Sequence, residues 1–173
     1  MMIFGEGDQD RTITVTTVSE SDYDDLFEFL SQLKDDEFEG YPGITYENGK
    51  EYLRQRLDSE EFYAVALLDS GKVIGNIYCG NRDYDAKEVG YIINRNCRRM
   101  GYAKEALSAV IGNAFRDGAH RVFAECDPRN TASWKLLEKV GLQREDRTSG
   151  FIRTEMAIPS GRTPTCTRNI ILP

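Results

Sequence analysis

The chain has little of the chemistry that metals need. Its 173 residues include one histidine, His120, and four cysteines, Cys79, Cys97, Cys126 and Cys166, none at the short spacing of paired metal ligands. A zinc site requires such pairs, so no metal centre is expected and the thiols read as reduced. Long apolar runs are also missing: no stretch approaches the ~18 residues that span a bilayer. The opening MMIFGEGDQD is acidic where a secretory leader would be basic and then apolar. The expectation is a cytoplasmic protein with no membrane contact. Nor is there a dense Lys/Arg stripe with interleaved aromatics, which argues against a nucleic-acid partner.

What is present suits one soluble globular domain, with 40% apolar and 29% charged residues. The net charge of −7 is unevenly placed. Residues 1–61 hold 17 acidic and 5 basic side chains, whereas residues 62–173 hold 12 acidic and 17 basic. An acidic first part favours a cationic partner and a basic second part a phosphorylated one, although solvated surface accounts equally well for both.

Elements alternate along the chain without an internal repeat. TITVTTV (12–18) has the β-branched content of a strand, and the acidic SESDYDD supplies caps for a helix through LFEFLSQL. Thr45 can cap a second short helix through Glu51, Leu53 and Leu57. FYAVALLD and VIGNIYCG flank the turn SGK as a hairpin, and EVGYIINR (88–95) reads as the next strand. Ala103, Ala106, Leu107, Val110, Ile111 and Ala114 recur at helical spacing up to a stop at Gly118. RVFAEC is a strand, NTASWKLLEKV a helix ended by Gly141, and LQRED and FIRTEMAI two closing strands. This order predicts an α+β fold, a mixed and mostly antiparallel sheet of about seven strands with about four helices. Residues 1–11 read as an N-terminal extension and 12–158 as the domain. Residues 159–173, with three of the five prolines, read as an extended tail or a partner-binding segment.

The junction NRNCRRMGYAKEAL (94–107) carries a specific chemistry. A strand ends near Arg95, Gly101 allows close backbone approach, and the following helix starts with outward N–H groups. A helix N-terminus bears roughly +0.5 charge, and Arg98, Arg99 and Lys104 add donors, a combination suited to phosphate. A tight turn with solvated arginines is the plainer alternative.

The spacing Arg98-x-x-Gly101-x-Ala103 resembles the [Gln/Arg]-x-x-Gly-x-[Gly/Ala] signature of the GCN5-related N-acetyltransferases (GNAT). The run from Glu125 through Cys126, Asp127, Pro128, Arg129, Asn130, Thr131, Ala132 and Ser133 to Gly141 and Leu142 looks like the RimJ/RimL type, the ribosomal-protein N-terminal acetyltransferases and their relatives. That resemblance implies a sheet whose two central strands splay apart to admit acetyl-CoA. It puts the pyrophosphate on Arg98, Arg99, Met100, Gly101, Tyr102 and Ala103, and the pantetheine arm along the backbone of Ile92 and Ile93. It further implies that Asn130 binds a pantetheine amide. A helix cap is the other reading of Asn130, and the two are compatible.

Acetyl transfer to an amine needs a proton acceptor, because an alkylamine is mostly protonated at neutral pH. Alternation in RVFAEC sets Val122, Ala124 and Cys126 on one face and Phe123, Glu125 and Asp127 on the other. Glu125 matches the general-base glutamate of some superfamily members; Glu88 and Glu155 are the other candidates, and a solvated or ion-paired Glu125 remains open. Many members carry a tyrosine seven residues after the asparagine to protonate the departing thiolate, and here that position is Leu137. Ser133 is then the expected donor, with Tyr102 or unassisted departure as alternatives, while Trp134 reads as packing. The function implied is transfer from acetyl-CoA to a primary amine, such as a protein N-terminus, a polyamine or an aminoglycoside, in a monomer or homodimer. The acceptor is expected to be cationic because the first helices are acidic. The alternative is a catalytically silent domain that binds CoA or an acyl-CoA and acts through a protein partner.

Overall fold

The computed structural model describes residues 12–38, 44–148 and 151–157. Strand β1 (Ile13–Thr17) passes through a 3-10 turn (Glu20–Asp22) into helix α1 (Tyr23–Ser31), which a second 3-10 turn extends over Gln32–Asp35. The entry is capped by Ser19, whose N–H donates to the Asp22 carboxylate at 2.8 Å. Leu26, Phe29 and Leu30 form the buried stripe of α1. Thr45 caps α2 (Tyr46–Leu57) in the same way: its hydroxyl accepts from the Asn48 N–H at 3.3 Å, and its own N–H donates to the Asn48 side chain at 2.8 Å.

The expected hairpin is β2 (Phe62–Leu67) with β3 (Val73–Arg82), followed by β4 (Ala86–Ile93). After a 3-10 turn at Arg95–Cys97 come α3 (Tyr102–Arg116), β5 (Arg121–Cys126), α4 (Thr131–Lys139), β6 (Gln143–Thr148) and β7 (Phe151–Ala157). The class is α+β with a mixed sheet and four α-helices. The strands lie in the order β1-β2-β3-β4-β5-β7-β6, and every neighbouring pair is antiparallel except β4 with β5. Among the described residues no helix is long and apolar enough to cross a membrane. The termini 1–11 and 158–173, and with them Cys166, lie outside the described residues, as does the side chain of Glu155.

Two apolar clusters sandwich the sheet. One joins α3 and α4 to Val89, Val122, Ala124 and Cys126; the other joins α1 and α2 to Ala64 and Val73. The sheet therefore has an α3–α4 face and an α1–α2 face. Burial in β5 departs from simple alternation. Phe123 is buried although it points away from Val122 and Ala124, and the Arg121 guanidinium lies 5.2 Å from its ring centre. Glu125, on the same side, is exposed.

Asn94, only 1% exposed, fastens the end of β4 to α1. Its N–H donates to the Ile74 carbonyl at 2.8 Å and its side-chain nitrogen to Glu28 at 2.7 Å. Its side-chain oxygen accepts from Gln32 at 3.1 Å and from the Asn96 N–H at 3.0 Å. Gln32 in turn accepts from the Arg95 N–H at 2.9 Å. A buried carboxamide with both ends satisfied fixes the direction in which the chain leaves the strand.

Glu28 also accepts from the Lys72 ammonium at 2.8 Å, and the Lys72 bond, followed by the Asn94 bond, holds its carboxyl below the ordinary value of 4.5. A carboxyl depressed in the folded state contributes stability above its unfolded-state pKa and loses it as pH falls through the folded one. Glu28→Gln keeps an acceptor for Asn94 but drops the charge. The pair is partly exposed, so thermal denaturation at neutral pH should show a loss of at most about 2–4 °C. Below the folded-state value, where the native carboxyl is also neutral, the two proteins should melt together. A gap that persists there would place the effect in the hydrogen bonds and not in the charge.

Candidate active site

The site begins where the sheet opens. β4 and β5 pair only through Ala86↔Arg121, Lys87↔Val122 and Glu88↔Phe123. Beyond that point β4 stays with β3 as far as Ile93↔Gly75, while β5 stays with β7 as far as Cys126↔Ile152. A wedge separates Val89–Ile93 from Ala124–Cys126. One of its walls depends on Gly75: a Cβ there would lie 2.3 Å from the Ile92 carbonyl oxygen and 2.7 Å from Ile93 Cδ1. Only glycine lets β3 press this closely on the segment expected to line the cofactor arm.

The expected phosphate loop lies at the mouth of the wedge. Arg99 has φ +64° and Gly101 φ +94°, so the chain takes two left-handed residues before α3 starts at Tyr102. Glycine is needed at Gly101 for its backbone angle, and a Cβ there would meet no protein atom within 4 Å. The space above the loop is open. No side chain caps α3, which leaves its first-turn N–H groups directed outward. Arg99 and Lys104 are exposed and make no hydrogen bond or ion pair with the described residues. Arg98 is differently placed: its Nε donates to the Ile93 carbonyl at 3.2 Å and its guanidinium lies 3.5 Å from Asp36. Met100 is exposed, whereas Tyr102 and Ala103 are half-buried. A left-handed loop, free helical amides and unengaged cations suit the pyrophosphate of CoA.

Asn130 is the N-cap of α4, its side-chain oxygen accepting from the Ser133 N–H at 3.1 Å. The cap orients Ser133 toward β4, where the Tyr91 hydroxyl donates to Ser133 Oγ at 3.1 Å across the wedge. Cys126 also hydrogen-bonds to Ser133; burial, the larger influence, pushes its thiol up, and that bond works the other way. Leu137, at the position where the resemblance led to the expectation of a tyrosine, is 1% exposed and packed in the α3–α4 core.

The carboxylates lie on the opposite face. Val89 and Tyr91 pack with the α3–α4 cluster, as do Val122, Ala124 and Cys126. Strand alternation therefore turns Glu88 and Glu125 to the α1–α2 side. Glu88 is engaged by Arg82, whose Nε and terminal nitrogen approach it at 2.8 and 2.5 Å. It acts as an ion pair at the fork. Glu125 is exposed two residues past the last β4–β5 pair, opposite Arg153 of β7.

The loop after α1 bridges the mouth. Asp36 lies 3.9 Å from Arg95 and 3.5 Å from Arg98, while Glu37 lies 3.2 Å from Arg129. Arg129 also holds Asp127 at 2.8 Å, and that hydrogen bond keeps the Asp127 carboxyl below its ordinary value. Part of the acidity expected to gather an acceptor is thus committed to arginines. Sequence reading did not single out Tyr91, Gly75 or Asn94. The only local hint was their place in or beside the strands that flank the phosphate loop.

Comparison with known proteins agrees with this geometry. The family described as "Acetyltransferase (GNAT) domain" matches residues 12–143. An uncharacterized N-acetyltransferase, YnaD of Bacillus subtilis (strain 168), is 33% identical over 124 residues, covering 68% of each chain. A GNAT-family acetyltransferase from Bacillus anthracis superposes with a TM-score of 0.80 at 20% identity, covering 91% of this chain and 98% of that one. A RimL ribosomal-protein alpha-N-acetyltransferase in complex with coenzyme A superposes with a TM-score of 0.77 at 14% identity, with 91% and 98% covered. With its forked sheet, left-handed loop before α3 and family match over most of its length, this chain belongs to the GNAT acetyltransferases, enzymes that use acetyl-CoA.

Proposed function

We propose that the protein transfers an acetyl group from acetyl-CoA to a primary amine by direct attack, the amine entering from the α1–α2 face. The observation that carries this reading is the division of groups at the fork: Glu125 on the α1–α2 side, Tyr91, Ser133 and Cys126 on the α3–α4 side. When bound, acetyl-CoA supplies the activated acyl thioester. The backbone of Arg98–Ala103 and the cations Arg99 and Lys104 hold its phosphates, as a helix N-terminus and left-handed nest do for anions. Ile92 and Ile93 offer strand edge to the pantetheine arm. Asn130 keeps its amide nitrogen for a pantetheine carbonyl, since the helix cap uses only its oxygen.

Glu125 takes the proton that the amine must lose, directly or through water. Ser133 donates to the departing sulfur. Cys126 is not required as an acyl carrier, because its buried thiol is pushed up and stays neutral. The acceptor is a protein N-terminus, a polyamine, an aminoglycoside or another small amine, and a cationic one suits the acidity of residues 1–61.

Three measurements test this reading. By titration calorimetry, Gly101→Glu should weaken acetyl-CoA at least about tenfold, through a disfavoured backbone angle and a carboxylate among phosphates. Unchanged affinity in a folded variant would remove the loop from the cofactor site. Glu125→Gln should lower amine-dependent CoA release by ~10²-fold near neutral pH, with partial recovery at alkaline pH where more of the amine is neutral. A deficit independent of pH would indicate a structural part for Glu125. Raising ionic strength through about 0.15 M, where fields are screened beyond about 8 Å, should raise the acceptor KM. Asp36→Asn should instead shift the acetyl-CoA KM, given its contacts with Arg95 and Arg98. A salt-independent acceptor KM would exclude a cationic acceptor.

A further inference from the structure

We infer that Tyr91 is a positioning residue for departure of the thiol, holding Ser133 so that its hydroxyl hydrogen points into the wedge. The inference rests on the acetyl-transfer reading above. In the 3.1 Å bond between them Tyr91 is the donor and Ser133 Oγ the acceptor, so the serine hydrogen is left for another acceptor: it faces Cys126 in the unliganded protein, and turns from there to the sulfur of a bound CoA in the wedge. Ser133 is also fixed from its backbone side, through the Asn130 cap. Two elements separated in sequence thus converge on one hydroxyl. The helix by itself lacks a donor at the usual place, because Leu137 is turned into the core and its carbonyl accepts from the Leu142 N–H at 3.0 Å. Tyr91 fills that vacancy from the opposite wall.

The proton balance closes without another reagent. As the nitrogen–carbon bond forms and the carbon–sulfur bond breaks, Ser133 gives its hydroxyl proton to the sulfur. Tyr91 returns a proton to Ser133, and solvent restores Tyr91 with the proton that left the amine on the Glu125 side. Ordinary phenol and thiol pKa values, about 10 and about 8.5, are close enough for such a transfer to need little driving force. Other titratable or charged groups near the pair are Cys126 and Asp127 at the end of β5, and Arg144. Arg144 is held by Glu138 at 2.8 Å and stacks 4.1 Å from the ring centre of Trp134.

Trp134, the chain's only tryptophan, adjoins Ser133 and gives a binding signal independent of turnover. CoA and desulfo-CoA should be titrated against the native protein, Tyr91→Phe, Ser133→Ala and the double variant, from neutral pH through about 8.5, the ordinary thiol range. A hydroxyl donor favours the thiolate, so the native protein should prefer CoA over desulfo-CoA increasingly as pH rises. Both single variants should lose that preference while binding desulfo-CoA as the native protein does. In turnover, Tyr91→Phe should cost about tenfold in kcat with an unchanged acetyl-CoA KM. The double variant should be no worse than Ser133→Ala. The inference is overturned if the two losses multiply, if Tyr91→Phe retains the pH-dependent preference, or if the native protein binds neither ligand. Should the native protein show the preference but release no CoA with any amine, the acetyl-transfer reading fails and the binding series still decides the part played by Tyr91.

Discussion

The parting of β4 from β5 after Glu88 and Phe123 is the constraint on which the site depends. Each strand keeps an antiparallel partner on its outer side, β3 for β4 and β7 for β5, so the inner edges can diverge without leaving either strand unsupported. The divergence exposes strand edge to a ligand, and an extended arm can pair there as an added strand would. It also sets the chemistry by parity. Residues of β4 and β5 that alternate toward α3 and α4 carry a hydroxyl and a thiol, and those that alternate toward α1 and α2 carry carboxylates. In the proposed reaction, proton removal and thiol departure therefore fall on opposite sides of the sheet.

The loop proposed to hold the cofactor phosphates is positioned from outside itself. Its direction is set by Asn94, which is tied to Glu28 and, through Gln32, to the Arg95 amide. Burying a carboxamide is costly unless its donors and acceptors are matched, and here the matched partners come from α1 and its extension. The first helix and its extension therefore set the path by which the chain enters the Arg98–Ala103 loop.

The charge imbalance between the two parts of the chain is in part an internal device. Asp25 accepts from the Val73 N–H at 2.8 Å, Glu28 faces Lys72, Asp36 faces Arg95 and Arg98, and Glu37 faces Arg129. Each partly exposed pair is worth little alone. Asp25 and Glu28 fasten α1 to the start of β3, and Asp36 and Glu37 hold the segment after α1 against Arg95, Arg98 and Arg129, so acidity that looked like an acceptor lure in the sequence also serves as a fastening.

Much of this architecture was legible from residue order. Thr45, Asn130, Gly118 and Gly141 marked helix ends, alternation and β-branched runs marked strands, and the Arg98-x-x-Gly101-x-Ala103 spacing marked the turn into α3, because caps, turns and periodicity are local properties of a few adjacent residues. The face of Glu125 followed from alternation in the same way, although the burial of Phe123 beside it did not. What local pattern could not supply was contact across distance. Tyr91 meets Ser133 42 residues away and Asn94 meets Glu28 66 residues away. Such pairs exist only once strand order, register and the fork angle are fixed, and those follow from how the whole sheet packs between its two helical layers. By itself, then, the sequence determined the elements, the turn into α3 and the repertoire of acids and hydroxyls. Tertiary structure alone decided which of them share a wall of the wedge, since long-range register is a cooperative property of the packed sheet and is not carried by any one segment.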